Sequence, residues 1–209
     1  MFRLFFSFLF LAAFYTNVFA AVGCSLNDPD RDVKRIFPSS TGYRTTFVTI
    51  KELGGDPLKQ EIENKLGDKF DNVYESLDVP YAYYTVLKGK DIIGHIHGVN
   101  QKGKYGALQL VAATDLEGRI TEFYYQRISS TESGRFQDKS FINQFKGLAL
   151  KDFNEYDISG KTPAKGRVAR ITDPSKDSSE DFKATLRGVK KNLILLDEFL
   201  SREKNKGGK

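Results

Sequence analysis

Residues 129–136 are the segment of this chain whose residue types are best suited to binding a ligand. They read Ser-Ser-Thr-Glu-Ser-Gly-Arg-Phe, so hydroxyl groups stand beside one carboxylate and one cation. A polar loop held on regular elements is a common place for a binding site. The alternative is a polar connector that binds nothing. The candidate ligand-binding residues of this loop are Thr131, Glu132, Ser133, Gly134 and Arg135.

The start of the last predicted helix is a second candidate site, in this case for an anion. Apolar residues at spacings of three and four predict that helix, from Phe182 to Leu200. Ser178 is its predicted N-cap, because an acidic residue follows at the spacing of a capping box. A helix N-terminus carries unpaired N–H groups and a partial positive charge. The candidate phosphate-binding residues are therefore Lys176, Ser178 and Ser179.

Two predicted strands and a turn lead directly into the polar loop. Residues 105–114 are rich in apolar side chains, and residues 120–128 alternate between two faces. The turn between them, residues 115–118, ends in Gly118, which tolerates a positive φ. We therefore predict an antiparallel hairpin that holds the loop on a rigid base.

The remaining patterns predict an α+β domain with a mainly antiparallel sheet, flanking helices and a long C-terminal helix. Further strands are predicted at residues 43–50, 81–87, 91–99 and 167–172, and further helices at residues 30–37 and 57–66. The predicted organisation is a signal peptide at 1–23, a tether at 24–31, one domain at 32–201 and a basic tail at 202–209.

The N-terminal segment predicts export. Two residues and one cation, Arg3, precede an almost uninterrupted apolar run that ends at Val22. The sequence Ala-Val-Gly-Cys at residues 21–24 predicts a lipoprotein acylated at Cys24, the only cysteine of the chain. The alternatives are cleavage after Ala20, which would leave a free thiol, and an uncleaved anchor helix. We expect a protein on the periplasmic side of a bacterial envelope, and Ser25 leaves the choice between the two membranes open.

Composition and motifs exclude several other classes. The net charge of +5 lies largely in the two tails. Export and the lack of an RNA- or DNA-recognition motif argue against nucleic-acid binding. No Gly-x-Ser-x-Gly hydrolase motif is present. His95 and His97 lie two apart on one face of a strand, which could suit a metal. No third ligand is obvious, so we interpret them as part of an exposed strand face or as a wall of a ligand cleft.

The order of strand, glycine turn, strand, polar loop and the motif Phe-Ile-Asn-Gln-Phe-Lys-Gly at residues 141–147 resembles the FMN-binding domain family. This family includes extracytoplasmic subunits of the Rnf and sodium-translocating NADH:quinone reductase complexes, and the resemblance covers residues 32–200. It implies an α+β domain that binds FMN and passes electrons. Tyr105 and Tyr125 could then stack on the flavin ring, Gly134 would permit close backbone approach, and Arg135 could place a charge near the flavin.

The chain departs from the family pattern at the point of flavin attachment. The family carries Ser-Gly-Ala-Thr before the last helix, with the flavin on the Thr, whereas this chain has Asp-Pro-Ser-Lys at residues 173–176. Thr162 ends the segment Ser-Gly-Lys-Thr at residues 159–162, whose sequence is more similar to the motif. The resemblance thus implies FMN held without a covalent bond, with attachment at Thr162, or at Ser175, Ser178 or Ser179, as alternatives.

We therefore expect an extracytoplasmic, membrane-anchored FMN-binding protein that acts in electron transfer with a membrane redox partner. The alternative is a flavin-free lipoprotein on the same fold that acts as a binding or assembly module. A third hypothesis is an enzyme that reduces a small substrate with bound FMN. The sequence assigns no catalytic residue to any of the three.

Overall fold

A computed structural model describes residues 24–71, 73–162, 165–177 and 179–207. The predicted signal peptide and the predicted N-cap Ser178 lie outside these residues. The helices are α1 (Pro29–Ile36), α2 (Ile50–Leu53), α3 (Gly55–Leu66), α4 (Ser133–Phe136), α5 (Lys139–Ile142) and α6 (Glu180–Gly207). The strands are β1 (Gly42–Val48), β2 (Tyr81–Lys88), β3 (Asp91–Lys102), β4 (Ala107–Thr114) and β5 (Ile120–Ile128). Short 3-10 turns lie at Asn143–Phe145, Leu150–Phe153 and Val168–Arg170.

The five strands form one antiparallel sheet in the order β1-β2-β3-β4-β5. Each strand pairs with the next one along the chain, so short turns are sufficient to connect β2 to β5. In the turn between β4 and β5, Asp115 accepts hydrogen bonds from the amides of Glu117 (3.0 Å) and Arg119 (2.9 Å). Gly118 has a φ of 72°, as predicted for this turn. The α+β fold class is confirmed.

Helix α6 covers one face of the sheet and packs against β3 and β4. It brings Leu186, Val189 and Leu193 into the main core, and α3 adds further leucines beside it. A Cβ atom on Gly188 would lie 2.1 Å from Cδ1 of Leu110 on β4. The close approach of α6 to the sheet therefore depends on this glycine.

The N-terminal segment covers the opposite face with a smaller core. Cys24, Leu26 and Val33 pack there against residues of β2, β3 and β4. The amide of Leu26 donates to the hydroxyl of Tyr84 at 3.0 Å. Gln126 bonds to the backbone on either side of Leu26, at residues 25 and 27. The first residues of the segment predicted as a tether thus pack on the sheet.

A buried ionic cluster fixes the middle of α6. The guanidinium of Arg187 donates to Glu75 at 2.8 Å and to Asp68 at 2.7 Å. The ammonium of Lys191 also pairs with Glu75 and donates to the carbonyl of Asn100 at 2.6 Å. Burial lowers the pKa of Lys191 to about 8 although Glu75 opposes this effect. The cluster joins the segment after α3 to α6 and to β3.

One predicted strand is wrong. Residues 167–172 contain the 3-10 turn Val168–Arg170 and not a strand. The amides of Arg170 and Ile171 donate to carbonyls three residues earlier, so they are not available to a sheet neighbour. Among the residues that the structure describes, no helix is both long and apolar enough to cross a bilayer.

Candidate functional site

The structure brings the polar loop after β5 against the segment that precedes α6. One carboxylate oxygen of Glu132 accepts a hydrogen bond from the amide of Lys176 at 2.7 Å, and the other accepts one from Asp177 at 3.4 Å. The guanidinium of Arg135 donates to the carbonyl of Pro174 at 3.1 Å. The two segments that the sequence predicted as candidate binding sites are therefore in direct contact. We call this contact the loop junction.

Aromatic packing holds the loop side of the junction in place. Phe136, at the end of α4, is fully buried between Tyr125 and Phe141, with ring centroids 6.3 and 5.5 Å away. The hydroxyl of Ser130 accepts from the amide of Glu132 at 3.2 Å. These contacts direct the carboxylate of Glu132 toward α6, while Thr131 stays exposed.

The predicted ring-stacking residues lie in different environments. Tyr125 is a core residue, since it is only 7% exposed and its hydroxyl lies 2.7 Å from that of Thr185. Burial raises the pKa of this phenol. Tyr105 is 56% exposed, with the ammonium of Lys104 over its ring. Only Tyr105 has a face open to a ligand.

The loop junction, as its side chains stand, does not fit a flavin phosphate. A phosphate at a helix start uses the first backbone N–H groups of the helix, and the carboxylate of Glu132 lies directly before them, where it accepts from the amides of Lys176 and Asp177 in the segment that leads into α6. The side chain of Glu132 is only 13% exposed. Of the other predicted phosphate ligands, Ser179 is exposed and Ser178 lies outside the described residues. A Cβ on Gly134 would meet nothing within 4 Å, so no close contact requires this glycine.

Thr162 lies in a separate exposed turn. Asp157 accepts hydrogen bonds there from the amide of Thr162 (2.8 Å) and from the hydroxyl and amide of Ser159. These bonds, the Ser159 hydroxyl first, lower the pKa of Asp157 to about 2. No hydrogen bond within the described residues connects this turn to Glu132 or Lys176. Thr162 is therefore not part of the loop junction.

Cys24 is buried on the sheet. It is 2% exposed, and its sulfur lies 2.7 Å from where a Cβ on Gly98 would stand. Burial raises the pKa of the thiol to about 12. A lipid attached to this sulfur would need the side chain to leave its place beside Gly98.

The two histidines both face α6. His97 is fully buried, and its Nδ1 lies 3.0 Å from Oδ1 of Asn192, whose amide nitrogen donates to the His97 carbonyl at 2.9 Å. Because that Oδ1 can only accept, Nδ1 carries the hydrogen. Burial lowers the pKa of both histidines to about 4. No group of three or more metal-binding side chains occurs among the described residues.

His95 lines a cavity beside α6. This cavity, which we call the α6 cleft, has a volume of about 880 Å³. Its walls come from four parts of the chain: residues 92 and 95 of β3, the turn between β4 and β5, the segment of residues 149–151 and the second half of α6. The amide of Ile120 donates to the carbonyl of Leu148 at 2.7 Å and thereby holds two of these walls together. A smaller cavity of about 230 Å³ lies near Arg167 and Arg170.

The α6 cleft combines an apolar floor with charged groups. Leu193, Leu196 and Leu200 of α6 contribute the floor. Arg119 is neutralised by Asp115 at 3.0 Å and by Glu117 at 2.8 Å. Three other charged residues of the cleft have no oppositely charged group within 4 Å in the described part of the chain, namely Lys151, Asp197 and Lys204.

Sequence reasoning did not identify this cleft as a site. Two signals were present: the leucine stripe continues to Leu200, and Leu116 is an apolar residue inside a charged turn. The interpretation of the histidines as a possible cleft wall agrees with the position of His95, whereas an exposed strand face is wrong, because both side chains are buried. No protein-family model matches the chain, and no curated protein matches it either. The resemblance to FMN-binding domains therefore depends on the motifs alone.

Proposed function

We propose that the chain is an exported binding module of the cell envelope that works without flavin. The observation that supports this most is the position of Glu132, which accepts from the amides of Lys176 and Asp177. Two unit negative charges about 4 Å apart near a protein surface repel by about 4 kcal/mol. Arg135, 3.7 Å from the same carboxylate, offsets part of this repulsion, but a phosphate at this place would still have to displace the carboxylate from the two amides.

Export and anchoring belong to the proposal on sequence grounds. The apolar run that ends at Val22 supports secretion, and the position of Cys24 supports acylation. Intact-mass measurement of the mature protein tests both. We expect a mass that corresponds to Cys24 as the first residue with attached acyl chains. A protein that begins at Ala21 would instead support the alternative of a free thiol.

The second candidate function is FMN binding in electron transfer. The contact between the loop and the segment before α6 favours it, because candidate ligands for the flavin ring and for its phosphate lie on these two segments. FMN binding would require the carboxylate of Glu132 to leave the two amides. The flavin, when bound, would supply the redox chemistry, and the protein would supply binding and electrostatics.

The absorbance spectrum of the exported protein separates the two candidates. The protein should be produced in a host that exports it and supplies a flavin-transferring enzyme. We expect a colourless protein that leaves the fluorescence of added FMN unchanged. The Glu132→Ala variant is the matched comparison, since the amides of Lys176 and Asp177 lose their acceptor in this variant and keep it in the wild type. A yellow wild-type protein would contradict the flavin-free function and support electron transfer.

A further inference from the structure

We propose that the α6 cleft binds an amphipathic carboxylate, such as a medium-chain fatty acid, with its acyl chain on the leucines of α6. This inference deepens the binding function proposed above and rests on it. The volume of about 880 Å³ lies within the range of roughly 300–1,000 Å³ that is typical of small-molecule sites. The cleft is thus large enough for a ligand of this class.

The rim of the cleft supports an apolar ligand body. Ile92 is 42% exposed and Leu116 is 61% exposed, and both line the cleft. They come from different walls, since Ile92 lies in β3 and Leu116 in the turn after β4. An acyl chain on the leucine floor would remove parts of both side chains from water, and such burial is favourable by about 25 cal/mol per Å².

The charges of the cleft favour an acidic head group. Lys151 and Lys204 lie on different walls, and neither has a carboxylate within 4 Å in the part of the chain that the structure describes. Asp197 is also unpaired and opposes an anion. The lining as a whole is neutral, because Arg119 and the two lysines are balanced by Asp115, Glu117 and Asp197, so the attraction for a carboxylate is local to the two unpaired lysines. Removal of the Asp197 charge should therefore tighten binding.

His95 supplies a hydrogen-bonding group at the base of the cleft. It is 8% exposed, and its Nδ1 has no hydrogen-bond partner in the structure. A buried polar atom without a partner is unfavourable by about 1–3 kcal/mol. A neutral imidazole can donate to a carboxylate oxygen from either nitrogen, depending on the tautomer. Because Nδ1 is shielded from solvent, a bound acid would accept from Nε2 in the tautomer that carries its hydrogen there.

Calorimetric titration of the mature protein with decanoate tests the inference. We expect saturable binding of decanoate and at least tenfold weaker binding of decyltrimethylammonium, which has a similar chain and the opposite charge. The double variant Lys151→Glu/Lys204→Glu should weaken decanoate binding at least tenfold. The matched control is Lys88→Glu/Lys161→Glu, which changes the net charge equally at exposed sites outside the cleft and should leave the affinity unchanged.

Two further measurements make the test independent of folding defects. Asp197→Asn should tighten binding about two- to threefold. In proton NMR spectra, decanoate should shift the imidazole signals of His95 and leave those of buried His97 in place. Absence of binding at millimolar decanoate, equal binding of the cationic probe or an unchanged affinity of the double lysine variant would each overturn the inference.

The outcomes for the cleft and for flavin are distinguishable. A colourless protein that does not bind decanoate would support the flavin-free function and contradict the proposed ligand of the cleft. A yellow protein that binds decanoate with the expected lysine dependence would contradict the flavin-free function and support the ligand site in the cleft.

Discussion

The two ends of α6 differ in how the protein fills the space beside them. At the amino end, Glu132 and Arg135 bond to the backbone of residues 174–177. Along the second half, the turn after β4 and residues 149–151 stand away from the helix and leave the α6 cleft. The end that carries the polar sequence motif is closed, and the end without a motif is open.

This difference shows why a polar motif is an ambiguous signal. Hydroxyl, acidic and basic groups that could bind a ligand can equally bond to one another, and buried polar groups are nearly always satisfied. Glu132 is such a group, because its partners are backbone amides 44 and 45 residues away. The leucine stripe of α6 is a less conspicuous signal, but Leu193, Leu196 and Leu200 line a cleft that a ligand can use.

The largest predicted effect concerns the cluster that holds α6 between its two ends. Glu75→Gln would leave Lys191, whose side chain is 1% exposed, buried without its carboxylate partner. Breaking a buried ion pair in this way costs about 3–5 kcal/mol. We expect this loss in the free energy of unfolding from urea denaturation at pH 7. If the difference between the two ends depends on a rigid α6, the variant should also weaken decanoate binding.

Asp78→Asn is the control for this prediction. Asp78 pairs with Lys51 at 2.9 Å, and both side chains are more than 60% exposed. Exposed pairs contribute about 0–1 kcal/mol. A Glu75→Gln variant no less stable than Asp78→Asn would show that the cluster does not hold the helix.

The next effect is a pH dependence of stability that originates at His97, which packs against the middle of α6. The pKa of His97 is lowered by burial to about 4, from an ordinary value of about 6.5. As the pH falls below 6.5 the unfolded chain binds the proton first, so stability is complete above pH 6.5 and declines toward pH 4. The shift corresponds to about 3 kcal/mol.

His97→Gln tests this effect through a slope. Urea denaturation at several pH values gives the slope of the free energy of unfolding against pH. Between pH 6.5 and 4, this slope should be smaller in the variant than in the wild type by the equivalent of about one bound proton, whatever the stability of the variant at pH 7. A slope identical to that of the wild type would mean that His97 titrates normally and that water reaches the middle of α6.

The closed end itself gives a smaller effect. Glu132→Ala removes the acceptor of the Lys176 and Asp177 amides, and hydrogen bonds to a charged group contribute about 1.5–3 kcal/mol. We expect a loss of this size in urea denaturation, partly restored by millimolar phosphate, because the freed amides can bind an anion.

Glu117→Ala provides the matched comparison at the open end. Glu117 is 62% exposed and pairs with Arg119, so its loss should cost less than about 1 kcal/mol. Equal losses for the two glutamates, or equal stabilisation of both variants by phosphate, would contradict the description of one end as closed and the other as open.

The smallest effect is expected at the rim of the cleft. Leu116→Gln changes a side chain that is 61% exposed, so the free energy of unfolding should change by no more than about 0.5 kcal/mol. Decanoate affinity should nevertheless fall about threefold, because the ligand loses an apolar contact. Calorimetry on the folded variant measures this change. An unchanged affinity would exclude Leu116 from the site.

Local periodicity accounts for what the sequence predicted correctly. The alternation of residues 120–128 and the leucine stripe of α6 each reflect one buried face, so β5 and α6 occur where they were expected. The predicted strand at residues 167–172 failed because a strand needs a neighbour, which the local pattern does not contain. The α6 cleft could not be predicted, since its walls come from four separated parts of the chain.

The burial of Cys24 beside Gly98 gives the chain an internal reporter. Because the molecule has a single cysteine and the folded state shields it, a maleimide or disulfide reagent can react only when the segment around Cys24 detaches from the sheet. In molecules without an acyl chain, the alkylation rate therefore measures how often the smaller core opens while the larger one stays intact.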